Sequence, residues 1–182
     1  MTQVLAFRIA AFAGGLSLLA YLISIPLFGL ESGSSSPNFF DSPVYDFGSL
    51  LVYVFYLNGF ATMGEKFKNR LLTNAARAIV WLNVLAAAVF YAAIQIETLD
   101  SNVLTGIETL LGVGISAGML VLGWQVLNLK TRLGTLAVWY GCLALLSALG
   151  LTFFFLPIGI AVESILYGLG TILLYRLSLS QK

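Results

Sequence analysis

Histidine is absent from the 182-residue chain, cysteine occurs once, and charged residues make up only 9% of the sequence. Without histidine there is no imidazole ligand for haem, copper or catalytic zinc, and no histidine general base. The single cysteine, Cys142, excludes an internal disulfide, an iron–sulfur centre and a thiolate cage. Because it lies in the apolar run GCLALL, we interpret it as a small buried apolar residue. We therefore expect no metal and no cofactor.

The scarcity of charge accompanies a large apolar fraction. Hydrophobic residues make up 59% of the chain, and the mean hydropathy is +0.96. A soluble fold needs a polar exterior, and soluble domains carry roughly 25% charged residues. The composition therefore predicts an integral membrane protein with the lipid bilayer as its first partner. It excludes a disordered chain, a nucleic-acid binder and a disulfide-stapled secreted domain.

Six apolar runs are long enough to cross a bilayer, since about 20 helical residues span its hydrocarbon core. They cover residues 4–28, 47–64, 78–96, 103–129, 136–155 and 160–175. None alternates apolar and polar side chains as barrel strands do. We therefore predict an all-α fold in one domain, a polytopic six-helix bundle built from three hairpins over residues 1–182. We interpret the first run as a retained span, because it exceeds the apolar region of a typical signal peptide.

The basic residues predict the orientation of these spans. With six crossings, all nine Lys and Arg residues fall on one side, and cytoplasmic loops are enriched in these residues. We therefore expect both termini in the cytoplasm and the protein in a bacterial inner or plasma membrane. Seven of the eight acids fall in the outer half, and only Glu65 lies inside. Residues 65–77, between the second and third runs, are predicted to form a short interfacial amphipathic segment.

Weak self-similarity supports the division into hairpins. The second and fourth predicted helices share the spacing of two glycines and an asparagine, at Gly59, Gly64, Asn69 and at Gly118, Gly123, Asn128. The matches are short and use a narrow alphabet, so duplication and coincidence are equally open. A repeat of this kind is parallel, and the inverted architecture of many secondary transporters is therefore not indicated.

Glu163 is the leading candidate for a functional residue. It lies 13 residues before Arg176, about 20 Å along a helix, and therefore below the outer interface. A carboxylate there costs a few kcal/mol unless it is paired, protonated or in a wet cavity. Tyr167 follows one turn later on the same face. Glu108 is a second candidate, although residues 109–129 alone can span the bilayer. The alternative for both acids is an interfacial carboxylate in water.

The second and fourth predicted helices supply further candidates. Aromatic residues of the second helix, together with the outer acids, can form a cage for an organic cation, with Tyr56 and Asn58 as ligand contacts. These aromatic residues are Phe47, Tyr53, Phe55, Tyr56 and Phe60. The competing interpretation is core filling for the aromatics and interhelical hydrogen bonding for Asn58. Gly112, Gly114 and Gly118 are predicted helix-packing positions, because small residues let helix backbones approach closely. A helix interrupted near the first two glycines is the alternative.

These features leave three function classes open. The first is a non-catalytic binder or transporter of a small solute, entered from the acidic outer face, with Glu163 as its chief contact. The second is a structural or accessory subunit whose small-residue faces dock onto another membrane protein or a second copy. One such face on the first helix comprises Ala6, Ala10 and Gly14.

Catalysis is the least favoured class, because the HExxH, histidine-served GxSxG, P-loop and GxGxxG motifs are all missing. A lipid-acting enzyme would need Glu108 and Glu163 together in a cavity open to the bilayer. The chain length and the six predicted crossings resemble those of the small substrate-binding subunits of bacterial vitamin importers. No motif carries this resemblance, so it implies no residue roles.

Overall fold

The structure is a computed structural model that describes residues 2–30, 43–95, 101–149 and 156–180. Every regular element in these ranges is a helix, and none is a strand. The helices are α1 Gln3–Leu30, α2 Pro43–Lys66, α3 Arg70–Gln95, α4 Ser101–Asn128, α5 Lys130–Leu133, α6 Thr135–Ala148 and α7 Leu156–Leu179. The all-α prediction is therefore confirmed over the described residues.

Five of these helices, α1, α2, α3, α4 and α7, are long and apolar enough to cross a membrane. The fifth predicted crossing, residues 136–155, begins in α6, which is apolar but only 14 residues long. A helix of that length extends about 21 Å, less than the roughly 30 Å of a hydrocarbon core. The predicted remainder of this span, residues 150–155, lies outside the described residues.

Helix α3 begins at Arg70, eight residues earlier than the predicted third span. The cause is an N-cap at Asn69, which a pattern of apolar residues does not indicate. The side-chain carbonyl of Asn69 accepts the backbone N–H of Leu72 at 3.1 Å, which stabilises the first turn of a helix. The Asn69 N–H itself donates to the carbonyl of Gly64 at 2.7 Å and ends α2. The segment 65–77 is therefore not a separate interfacial piece but the end of α2 and the first turns of α3.

The long helices form a ring in which each packs against its neighbours in the chain. Helix α1 contacts α2, α2 contacts α3, α3 contacts α4, α4 contacts α6, α6 contacts α7, and α7 returns to α1. The pairs α1–α2, α3–α4 and α6–α7 correspond to the three predicted hairpins. The centre of the ring is filled by large, fully buried side chains, among them Phe7, Tyr56, Phe60, Leu122, Tyr140 and Leu174. Large apolar side chains also cover the outside, as expected for a surface that faces lipid.

Two of the predicted packing glycines of α4 face α3. A Cβ added at Gly118 would lie 2.6 Å from Cγ1 of Ile79, and one added at Gly114 would lie 3.2 Å from Cδ1 of Leu82. An added Cβ at Gly112 would meet no atom within 4 Å, so the described structure gives this glycine no packing role. Helix α4 is continuous through all three positions, and the alternative of an interrupted helix is not observed.

Helix α4 approaches α6 backbone to backbone. A Cβ added at Gly123 would lie 2.9 Å from Cβ of Ala144 and 3.0 Å from the carbonyl oxygen of Gly141. Because Gly141 faces α4, the next residue, Cys142, is rotated by about 100° away from that contact. Cys142 is exposed on the outside of the ring. Its interpretation as a buried residue was therefore wrong.

The glycines of the predicted repeat make corresponding contacts. Gly59 faces Ala10 of α1, and Gly118 faces α3, so each contacts the helix that precedes its own. Gly64 and Gly123 contact the helices that follow, α3 and α6. Positions matched in sequence thus occupy matched positions in the ring.

The close approach of α4 and α6 predicts a large cost for a side chain at Gly123. We expect Gly123→Val to lower the free energy of unfolding by about 3 kcal/mol, because the branched side chain meets backbone that cannot move aside. Gly112→Val is the matched control, since it adds the same atoms to the same helix in open space. Thermal and denaturant unfolding in detergent measure both. Equal destabilisation by the two variants would contradict this packing.

Candidate functional site

A cavity of about 40 Å³ lies inside the ring, where α2, α4, α6 and α7 meet. It is lined by Tyr53, Tyr56, Leu57, Met119, Tyr140, Ser147, Glu163, Leu166 and Tyr167. A single water needs roughly 10–15 Å³ measured in this way, so about three or four waters or one small ion fit. Pockets for drug-sized ligands are roughly ten times larger. The volume therefore restricts this site to a small ligand.

Helix α7 places a carboxylate and a phenol on the same wall of this cavity. Glu163 and Tyr167 are one turn apart, and both side chains are half-buried. Between them in sequence, the carbonyl of Leu166 accepts a hydrogen bond from the Tyr56 hydroxyl at 3.3 Å. This bond joins α2 to α7 and holds Tyr56 in the wall of the cavity that Glu163 also lines. Of the five predicted ligand contacts, the structure thus brings Glu163, Tyr167 and Tyr56 together.

The aromatic side chains around the cavity form a continuous series of ring contacts. The Tyr56 ring centroid is 5.1 Å from that of Tyr167 and 5.3 Å from that of Phe60. At one end of the series, Tyr167 contacts Tyr53 edge to face at 6.3 Å. At the other end, Phe60 stacks on Tyr140 at 4.8 Å. Such pairs contribute about 0.5–1.5 kcal/mol each beyond their buried area, so the series holds the cavity walls in place.

Two glycines make room for the Tyr56 ring. A Cβ added at Gly170 of α7 would collide with the Tyr56 hydroxyl and lie 3.0 Å from Cε2 of Tyr140. A Cβ added at Gly14 of α1 would lie 2.7 Å from Cδ2 of Tyr56. Helices α1 and α7 therefore accept a tyrosine between them only because both present a bare backbone at this level.

The Tyr140 hydroxyl is the unusual polar group of the site. It is fully buried and makes no hydrogen bond to any described residue. The Tyr56 hydroxyl, which lies nearby, donates to the carbonyl of Leu166. An unpaired buried hydroxyl costs about 1–3 kcal/mol, and such a group in a native structure calls for a water, an ion or a ligand beside it. The cavity that Tyr140 lines is where that partner belongs.

The electrostatics of the cavity favour a cation. Its lining contains the Glu163 carboxylate, hydroxyl oxygens and the faces of tyrosine rings, and no lysine or arginine. Ring faces and carboxylates both attract positive charge, more strongly where water is excluded. Among the described residues, no group of three or more His, Cys, Asp and Glu side chains stands close enough to hold a metal ion. One carboxylate with tyrosine oxygens suits a monovalent ion better than a resident transition metal.

Two predicted site residues lie elsewhere. Glu108 is exposed on α4 and does not line the cavity. Asn58 is exposed on α2 and lines a second cavity, of about 140 Å³, between α2 and α3. The two acids therefore do not share a pocket in the described structure.

Sequence reasoning missed one of the cavity's tyrosines, Tyr140. Tyr53 was one of the aromatic residues of the predicted cage, and its spacing of three residues from Tyr56 places both on the same face of α2. Tyr140 carries no comparable signal, because only the packing of α6 against α4 and α7 turns it inward while the adjacent Trp139 is exposed.

Comparison with known proteins identifies no relative of this chain. No protein-family model, curated protein or solved structure matches it.

The unpartnered hydroxyl predicts different effects for two Tyr→Phe substitutions. Without ligand, we expect Tyr56→Phe to lower the free energy of unfolding by about 1 kcal/mol, because it removes the hydrogen bond to Leu166. Tyr140→Phe should leave that free energy unchanged or raise it by up to about 1 kcal/mol, because it removes an unpaired polar group. Denaturant unfolding in detergent, with N-methyl-D-glucamine as the only cation, measures both. A loss at Tyr140→Phe equal to that at Tyr56→Phe would show that the hydroxyl is already paired.

Proposed function

We propose that this chain is a non-catalytic integral membrane protein that binds a small monovalent cation and passes it across the membrane. The observation that carries the proposal is that Glu163 and the buried, unpartnered hydroxyl of Tyr140 line the same small cavity. The cation enters from the end of the ring that carries the acids, which is the predicted outer side.

The chemistry of the cavity supports this ligand class. The Glu163 carboxylate attracts positive charge, more strongly where water is excluded. A cation in the cavity also gives the Tyr140 oxygen a partner, since a phenol oxygen accepts as well as donates. The volume of about 40 Å³ suits an alkali-metal ion or ammonium and is too small for a larger organic solute.

The position of the cavity along the helices supports entry from the acidic end. Glu163 lies seven residues, about 10 Å, from the start of α7 and 16 residues, about 24 Å, from its end. Asp46 and Glu108 are exposed near the same end of the ring. Negative side chains around an entrance raise the local concentration of cations.

The proposed topology has six crossings with both termini in the cytoplasm. Lysines and arginines lie at the ends of the described helices opposite the acids: Lys66, Arg70, Lys130, Arg132 and Arg176. The enrichment of such residues on the cytoplasmic side supports this orientation. Helix α6 would complete its crossing with residues beyond Ala148. A bacterial inner or plasma membrane is the proposed location.

The packing of the small residues favours this proposal over an accessory subunit. Ala10 of α1 faces Gly59, and Gly118 of α4 faces Ile79, so both small-residue faces are occupied within the ring. A lipid-acting enzyme finds less support, since Glu108 does not join Glu163 in the cavity.

The proposal predicts that small cations stabilise the protein. The measurement is the midpoint of thermal unfolding in detergent, in chlorides of sodium, potassium, ammonium or N-methyl-D-glucamine at one ionic strength. A ligand at ten times its Kd adds about 1.4 kcal/mol, which raises the midpoint by roughly 3–6 °C. We expect this rise for at least one small cation relative to N-methyl-D-glucamine, which is too large for the cavity. Glu163→Gln should abolish it.

Glu108→Gln is the matched control for that experiment. It makes the same substitution at the same end of the ring, on a side chain outside the cavity. We expect it to keep the full cation-dependent rise. The absence of a rise with every small cation, or its survival in Glu163→Gln, would contradict the proposed function.

The proposed topology predicts which sites a membrane-impermeant maleimide reaches in intact cells. Cys142→Ser removes the only cysteine, and Asn102→Cys or Ser180→Cys then adds one reporter at a time. We expect Asn102→Cys to react from outside and Ser180→Cys to react only after permeabilisation. Reaction of Ser180→Cys from outside would overturn the orientation.

A further inference from the structure

The cavity of about 140 Å³ between α2 and α3 opens on the outside of the ring. Phe55 of α2 and Trp81 of α3 form its apolar walls, and 43% and 72% of these side chains are exposed. Asn58 and Arg77 are its only polar lining residues. Leu57 lines both this α2–α3 groove and the tyrosine-lined cavity, but Glu163 and the four tyrosines of the proposed cation site do not line the groove.

The two polar residues lie at similar depth. Asn58 is eight residues, about 12 Å, before the end of α2, and Arg77 is seven residues, about 10 Å, after the start of α3. Because the two helices are antiparallel and joined by a short turn, both residues lie about two turns in from that turn. An amide and a guanidinium at this depth of a membrane-spanning hairpin need polar partners.

The protein itself meets that need only in part. The side chain of Asn58 makes no hydrogen bond to any described residue, and only its backbone carbonyl is used, by Thr62. Arg77 donates through Nη2 to Oε1 of Glu65 at 2.6 Å. A guanidinium has five N–H donors, so most of them stay available to another acceptor. The ion pair is 59% and 48% exposed, and such exposed pairs are weak.

The charge around the groove favours an anionic partner. The turn end of this hairpin carries Lys66, Lys68 and Arg70 besides Arg77, and Glu65 is the only acid there. One carboxylate therefore offsets one of four positive charges. Basic pockets between membrane-spanning helices are characteristic sites for anionic lipid headgroups.

We propose that the α2–α3 groove binds one anionic phospholipid. Its phosphate lies at Arg77, its glycerol ester oxygens accept hydrogen bonds from the Asn58 amide, and an acyl chain runs along Phe55 and Trp81. The order of these contacts matches a lipid, in which charge, ester oxygens and hydrocarbon follow one another. Free inorganic phosphate would leave the apolar walls uncovered. The site depends on membrane embedding but not on cation binding.

The test uses Trp81 as a reporter inside the groove. Trp124→Phe together with Trp139→Phe leaves Trp81 as the only tryptophan, since the chain has three. The protein is reconstituted into phosphatidylcholine vesicles with increasing amounts of brominated phosphatidylglycerol or brominated phosphatidylcholine, and tryptophan quenching is measured. We expect half-maximal quenching of Trp81 at about tenfold less brominated phosphatidylglycerol than brominated phosphatidylcholine. Arg77→Gln should remove most of this preference, because a charge-assisted hydrogen bond is lost.

Two controls separate a groove site from general attraction to a charged membrane. Arg70→Gln removes one charge from the same end of the hairpin without touching the groove lining, and should keep the preference. A variant that retains only Trp139, which is 63% exposed on α6, should be quenched similarly by both lipids. Equal quenching of Trp81 by the two lipids overturns the proposal. So does a preference that Arg77→Gln leaves intact, or one that Trp139 shares.

Discussion

The ring of helices depends on the insertion of one tyrosine between two bare stretches of backbone. Tyr56 reaches from α2 toward α1 and α7, and it fits only because Gly14 and Gly170 carry no side chains. Its hydroxyl donates to the Leu166 carbonyl, while its ring contacts those of Tyr167 and Phe60. In a membrane, apolar side chains gain little by leaving lipid for a protein interior, so close packing and interhelical hydrogen bonds determine helix arrangement. Tyr56 provides both.

The cavity follows from that arrangement. Bulky tyrosines from α2, α6 and α7 meet at one level, and their rigid rings leave a small space that no side chain fills. The space is bordered by the Glu163 carboxylate and by the Tyr140 hydroxyl, which has no hydrogen-bond partner among the described residues. An unpaired buried hydroxyl lowers the stability of the protein, and a small cation in the space would offset that cost.

The tyrosine-lined cavity and the α2–α3 groove lie at different levels along the helices and on different sides of them. Acids border the end nearest to Glu163, whereas bases surround the turn between α2 and α3. The first feature faces the inside of the ring and the second faces its outside. A cation and an anionic lipid would therefore bind at different places without competing, which lets the lipid anchor the hairpin that carries Tyr56 beside the cation site.

Much of this structure was predictable from the sequence, because long apolar runs in a membrane can only be helices. The start of α3 was not, since the cap at Asn69 is a single side-chain hydrogen bond that hydropathy does not register. Glu163 and Tyr167 share a face through helical spacing alone, so this part of the site could be predicted from the sequence. Tyr140 lines the cavity and Asn58 does not. Both positions depend on how α6 and α2 are rotated about their axes, which is determined by close packing between residues distant in sequence.

The inward faces were the least predictable feature for one physical reason. In a soluble protein, polarity marks the outward side of a helix, but a lipid-facing side is as apolar as the core. Trp139 and Tyr140 illustrate this, as adjacent aromatics of which one is exposed and the other fully buried. Of the three glycines predicted to pack, Gly114 and Gly118 face α3, whereas a Cβ added at Gly112 would meet no atom within 4 Å.

The central claim is that a monovalent cation occupies the space between Glu163 and Tyr140. The most direct test is an experimental structure of the protein saturated with rubidium ions, with anomalous scattering used to locate them. We expect one rubidium peak in the tyrosine-lined cavity, within contact of the Glu163 carboxylate and the Tyr140 hydroxyl, that disappears in Glu163→Gln. A cavity without a peak at saturating rubidium, or a peak that persists in Glu163→Gln, would contradict it.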